Sequence, residues 1–100
     1  MRELFEGAVK FKEEDFLSHK ELYENLGKKQ NPHTLFIGCV DSRVVPNLIT
    51  NTLPGDLFVV RNVGNIVPPY TDNTKMRSGY LATTSAIEYA LSILNIKNII

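Results

Sequence analysis

Apolar residues recur along this chain with two different periods. From His33 to Val40 the run His-Thr-Leu-Phe-Ile-Gly-Cys-Val is apolar on both faces. That pattern predicts a strand buried within a parallel sheet, because a half-exposed antiparallel strand would alternate with polar residues. Leu57-Phe58-Val59-Val60 predicts a second strand, entered through the turn Leu53-Pro54-Gly55-Asp56, and Lys97-Asn98-Ile99-Ile100 begins a third. Elsewhere the spacing is helical. Between Ser78 and Leu94, Tyr80, Ile87, Leu91 and Leu94 share one face, which Ala86, Ala90 and Ile93 widen, and Asn95 is the stop. A short helix is expected over Val44 to Thr50, with Pro46 in its first turn and Asp41-Ser42 as its cap.

Upstream, Glu13 to Leu26 is helical in pattern, with Phe16, Leu22, Tyr23 and Leu26 on one side and Glu24 placed to pair with Lys28. Gly27 ends this segment, and Asn31-Pro32 resets the backbone. Asn62 to Asn73 reads as a loop, stiffest at Pro68-Pro69. Strand, helix, strand, helix, strand predicts an α/β fold with a central parallel β-sheet and flanking helices. The expected organisation is a single domain over residues 1–100: a helical arm (1–29) followed by the start of the α/β core (30–100). A chain that stops two apolar residues into a strand reads as the amino-terminal part of something longer.

Composition narrows the function. Eleven basic and eleven acidic residues cancel without forming blocks, so the footprint expected of a nucleic-acid or anionic-membrane binder is missing. The longest apolar stretches are far too short to cross a bilayer, and the acid-interrupted start is unlike a secretory signal. A single cysteine excludes an internal disulfide and fits a reducing, cytoplasmic setting.

In α/β sheets, functional residues gather beyond the carboxyl ends of strands. Two segments fall there: Cys39-Val40-Asp41-Ser42-Arg43 after the first strand and Arg61-Asn62-Val63-Gly64-Asn65 after the second. Cys39 is either a buried core thiol or, between a strand end and a helix start with Arg43 four residues on, a thiolate of depressed pKa. Such a thiolate is a nucleophile or a soft metal ligand. Asp41 and Arg43 share a side of extended backbone. They are either an ordinary ion pair or a device that keeps the carboxylate ionised beside the thiolate. Arg61 reads as a loop anchor, and Gly64 as a position needing freedom of φ. His33 is about 20 Å of strand away from Cys39, and His19 lies on the polar side of the first helix, so neither shares an ion with Cys39. Only Cys39 and Asp41 remain as donors, fewer than a catalytic zinc site takes from protein.

Together these residues resemble the β-carbonic anhydrases. The match is carried by Cys39-Val40-Asp41-Ser42-Arg43, Pro54-Gly55-Asp56, Val60-Arg61-Asn62-Val63-Gly64-Asn65 with Pro68-Pro69, and Ser85-Ala86-Ile87-Glu88-Tyr89-Ala90 before a final apolar strand. It runs in order from about Gln30 to Ile100. The resemblance implies the β-carbonic anhydrase fold, incomplete in this chain, and reversible hydration of carbon dioxide to bicarbonate by a zinc-bound hydroxide, with one Zn2+ per complete subunit. It makes Cys39 a zinc ligand, Asp41 the aspartate that either ligates zinc or orients its hydroxide, and Arg43 the switch partner of Asp41. Gln30, Phe58, Val63 and Tyr89 match the pocket residues of the plant-like subtype, although core packing is the plainer role for Val63 and Tyr89. The absence of tryptophan also favours that subtype. The remaining ligands, a His-x-x-Cys motif, belong just after the third strand. Activity is therefore expected of the complete protein and not of residues 1–100 alone. Members assemble as homodimers or larger homo-oligomers, and the segment Glu13 to Leu26 is the candidate for packing on the partner.

Two other readings compete. A noncatalytic fragment or assembly module would account for the missing ligands. A cysteine-nucleophile enzyme would use Arg43 to bind an anion, yet tyrosine-phosphatase-like cradles place five residues between cysteine and arginine, and here there are three.

Overall fold

A computed structural model describes residues 1–70 and 81–100. The chain separates into two compact units, Met1–Gln30 and Asn31–Ile100.

The first unit is helical from its start. Helix α1 (Arg2–Lys10) runs on through a π-helical turn (Phe11–Asp15) and one α-turn (Phe16–Ser18), and after a break at His19 helix α2 (Lys20–Leu26) completes it. The expected helix over Glu13 to Leu26 thus begins eleven residues earlier, at Arg2, and is interrupted. At His19 the backbone leaves the helical region (φ −119°, ψ 31°), while Ser18 Oγ donates to the Asp15 carbonyl at 2.9 Å, as serine does when it competes with the helical ladder. The predicted inward side holds: Phe16, Leu22, Tyr23 and Leu26 are half-buried. Phe11, Phe16 and Tyr23 form an aromatic cluster with centroids 5.2–6.3 Å apart. Glu24 pairs back with Lys20 at 3.8 Å instead of forward with Lys28, because the helix ends at Leu26 and Lys28 sits in the following turn.

The second unit carries the sheet. β1 (Thr34–Cys39) lies between β2 (Leu57–Asn62) and β3 (Asn98–Ile99), parallel to both. The α/β architecture with parallel pairing is as the apolar pattern predicts. Leu35 is fully buried, which by itself contributes about 1.5–3 kcal/mol of transfer free energy. It packs with Ala90 and Ile96, and Ile37, Phe58, Val60, Ile87 and Leu94 close the layer around them. Gly38 is buried in β1; an added Cβ would come within 2.8 Å of the Phe36 ring.

Helix α3 (Pro46–Thr50) is two residues shorter than expected, because Val45 before the proline is held extended (φ −120°, ψ 101°). Asp41-Ser42 does not cap it; Val45 is the cap position and no side chain caps there. Gly55, at φ 93°, makes the turn into β2. Helix α4 (Leu81–Glu88) continues as a π-helical turn (Tyr89–Ile93) that Asn95, at φ 56°, terminates. Of its predicted apolar face, Ala90, Ile87 and Leu94 face the core, whereas Leu91 and Ile93 are exposed, since the wider turn rotates them outward. Residues 71–80, which include Tyr80 and the expected start of this helix at Ser78, lie outside the described residues. No helix among the described residues is long and apolar enough to cross a membrane.

Candidate functional site

β2 is longer than its apolar run. Arg61 and Asn62 continue the ladder, opposite Gly38 and Cys39, so the two predicted segments are neighbours at the carboxyl end of the sheet. The expected loop after β2 starts with a tight turn, Val63–Asn65, in which Gly64 takes φ 78° and Asn65 φ 49°. Asn62 builds this turn. Its Oδ1 accepts from the Ile66 N–H at 2.6 Å, and its Nδ2 donates to the Ile66 carbonyl (2.8 Å) and to Thr83 Oγ1 (3.1 Å). Closing the turn in this way aims the Gly64 N–H at Cys39 Sγ, 3.4 Å away.

Cys39 is half-buried and free. Its thiol is held below the ordinary range first by the backbone N–H of Asp41 and then by that of Gly64. The Arg61 charge adds to this, while burial and the Asp41 carboxylate oppose it. The thiolate bias expected from sequence is therefore present, but its cause is different: backbone donors lead, and the contributing cation is Arg61, not Arg43.

Arg43 is committed to Asp41. Its Nε donates to Oδ1 at 3.0 Å, its Nη2 to Oδ2 at 2.7 Å, and its backbone N–H to Oδ1 at 2.9 Å. These bonds, the side-chain ones first, lower the Asp41 carboxyl to about 2. A carboxylate offers about four acceptor positions, so one position on Oδ2 stays free. The pair lies at the surface, with the Arg43 side chain 87% exposed and that of Asp41 31%.

Arg61 is half-buried, and among the described residues its guanidinium bonds backbone carbonyls alone. Nε donates to Cys39 O at 2.9 Å, and Nη2 to Asp41 O at 2.9 Å and Val44 O at 2.7 Å. The expected loop anchor is thus an anchor of the very loop that bears Cys39 and Asp41.

Of the other expected site residues, Val63 belongs to the turn that faces Cys39, whereas Phe58 and Tyr89 are not gathered here. Gln30 ends the first unit and is exposed. Phe58 pairs with Leu35, four residues back from Cys39 and so about 13 Å along the strand. Tyr89 stacks on Phe58 with centroids 5.9 Å apart and borders a cleft of about 800 Å3 whose walls, Val67–Tyr70 and the α4 segment, include neither Cys39 nor Asp41. Val63 is 78% exposed at the turn, so core packing does not describe it. His33 Nδ1 is bonded to Thr34 Oγ1 at the far end of β1. Among the described residues no three His, Cys, Asp or Glu side chains converge as a metal site. A thiolate-biased sulfur and an ionised carboxylate suit zinc in kind, but they make an incomplete set. Sequence reasoning missed the roles of Asn62, Thr83 and the Gly64 N–H; two polar residues ending an apolar strand, with a turn glycine two positions after Asn62, were the available signal.

Known proteins resemble this chain in sequence and in fold. Residues 34–100 match the family model described as carbonic anhydrase. The chain is 52% identical over 98 residues to a carbonic anhydrase of Helicobacter pylori (strain J99), covering 98% of this chain and 42% of that protein. It is 50% identical over 100 residues to one from Synechocystis, of which it covers 34%. Among solved structures, the β-carbonic anhydrase CcaA superposes with a TM-score of 0.88 at 50% identity, over 99% of this chain and 42% of that one. A tetrameric β-carbonic anhydrase from Sordaria macrospora gives 0.79 at 34% identity, over 98% and 45%. The chain therefore spans under half the length of these relatives.

Proposed function

Because this chain belongs to the carbonic anhydrase family, in its β class, we propose that the full-length protein hydrates carbon dioxide reversibly to bicarbonate and that Cys39, Asp41 and Arg43 are its contribution to a zinc centre. The observation that carries this reading is the Cys39–Arg43 loop itself: a thiolate-biased sulfur beside a carboxylate that Arg43 holds ionised. Cys39 would hold zinc, whose Lewis acidity makes a water nucleophilic near neutral pH. Asp41, with both oxygens already engaged by Arg43, is better suited to accept a hydrogen bond through its free Oδ2 position than to serve as a ligand. Arg43 keeps that acceptor charged and pointed. Phe58, Val63, Tyr89 and Gln30 remain proposed pocket residues on the family resemblance; within one copy of the chain the geometry does not support that role for Phe58 and Tyr89.

Among the described residues too few donors converge, which favours the second reading, a noncatalytic piece, for this stretch by itself. One experiment separates the two. Zinc content and stopped-flow hydration rates are measured for the full-length protein, its Cys39→Ser variant and residues 1–100. The expected result is activity and about one zinc per subunit in the first alone. A full-length protein that carries zinc and hydrates carbon dioxide equally well with Cys39→Ser would end the proposal. We also read the full-length protein as a homo-oligomer, as its tetrameric Sordaria relative is; a monomer in sedimentation equilibrium would remove that part.

A further inference from the structure

Arg61 is the one charged residue within the described strands. It is half-buried at the end of β2, and its side-chain hydrogen bonds go to three backbone carbonyls of one short loop. Among the described residues it takes part in no ion pair with a carboxylate, while the neighbouring Arg43 is wholly engaged by one. A buried cation without a carboxylate is costly unless its donors are matched. Here the cost is offset by three backbone carbonyls, those of Cys39, Asp41 and Val44, which accept its donors.

The bonded positions span the whole candidate loop. Cys39 O and Asp41 O flank the Val40–Asp41 peptide, whose N–H is the first of the donors to the Cys39 sulfur. Val44 O lies at the loop's exit, and the Val44 N–H in turn donates to Asp41 O at 2.9 Å. Val40 N–H is tied to Asn62 O at 2.9 Å, on the residue after Arg61. One planar fork thus holds the entry, middle and exit of the segment that carries both proposed donors. A lysine ammonium has charge and three donors but radiates them from one atom, so it does not match carbonyls spread across Nε and Nη2.

We propose that Arg61 is a positioning residue for the proposed metal centre: through the shape of its fork, not through its charge, it sets where Cys39 Sγ and the Asp41 carboxylate sit. This rests on the reading of Cys39 as a metal donor.

Cobalt(II) replacing zinc in the full-length protein provides a probe, since a thiolate bound to cobalt gives a near-ultraviolet charge-transfer band. Arg61→Lys and Arg61→Ala are compared with wild type in cobalt affinity, band shape, steady-state hydration kinetics and circular dichroism. Both variants are expected to fold, to bind cobalt about 10–100-fold more weakly, as when partners that orient ligands are lost, and to show an altered band. Their kcat falls while KM is little changed, and lysine does not rescue. Wild-type affinity and band in Arg61→Lys would overturn the proposal, because charge alone would then suffice. If Arg61→Ala does not fold, the lysine variant decides; if neither folds, Arg61 serves folding and the proposal fails. A cobalt spectrum that Cys39→Ser leaves unchanged sinks the underlying reading instead, and is recognised by being independent of Arg61.

Discussion

The ends of β1 and β2 lie side by side, Cys39 opposite Asn62, yet they do different work. After β1 the chain presents its reactive groups: a thiol and a carboxylate, with Arg43 reaching out of the surface to hold the latter. After β2 it presents groups whose bonds are all structural. Arg61 gathers carbonyls, Asn62 closes a turn, and Gly64 turns an N–H toward sulfur. The reactive loop supplies some supports of its own, the Asp41, Arg43 and Val44 N–H groups, but not all of them. The rest come from the neighbouring strand and its turn, where the parallel ladder places Arg61 and Gly64 at the right height.

That contrast can be broken at either end. Asn62→Ala removes three bonds at once and should have the largest effect on stability. These bonds are exposed or part-buried, and at a net worth of about 0.5–1.5 kcal/mol each their loss should lower stability in urea unfolding by about 1–3 kcal/mol. The same change should slow Cys39 alkylation near neutral pH, because the Gly64 N–H no longer faces the sulfur. Unchanged stability and reactivity together would show that the turn holds without Asn62.

Gly64→Ala should cost less, about 1–2 kcal/mol, the penalty of placing a Cβ at φ 78°. The side chain itself has room, with Ile66 at 3.7 Å, so the loss is conformational. A variant as stable as wild type by urea titration would mean that the turn relaxes to another geometry.

Arg43→Met, at the β1 end, should leave global stability almost untouched, because the pair is exposed. Its effect appears in titration. The Asp41 carboxyl, lowered to about 2, contributes stability that is present above the ordinary carboxylate range and lost as pH falls through about 2. Without Arg43 that pKa should rise toward the ordinary value, and this small contribution, with its loss in acid, should disappear. Carbon-detected NMR titration of Asp41 measures this directly, and an unmoved midpoint would refute the assignment of Arg43 as its main cause.

Much of this was legible beforehand, for identifiable reasons. Leu35 and Ile37 on one face of β1 and Phe36 on the other announce a strand covered on both sides, and hydrophobic burial acts on composition and period alone. The pairing of Asp41 with Arg43 was legible because it is local. The first helix was missed although Leu4, Phe5, Ala8 and Val9 recur at helical spacing over Arg2–Lys10; that apolar stripe stays unburied in this unit. The break at His19 was hidden too, since it depends on how Ser18 spends its hydroxyl.

By itself, then, the sequence determined the order of strands and helices, the place of Cys39 and Asp41 beyond a strand end, and the family they belong to. These follow from periodicity and near-neighbour chemistry. Only the tertiary structure decided that Arg61 serves the Cys39 loop and that Gly64, twenty-five residues from Cys39, donates to its sulfur. Contacts at such separations depend on strand register, and register is a property of the whole packed sheet rather than of any segment within it.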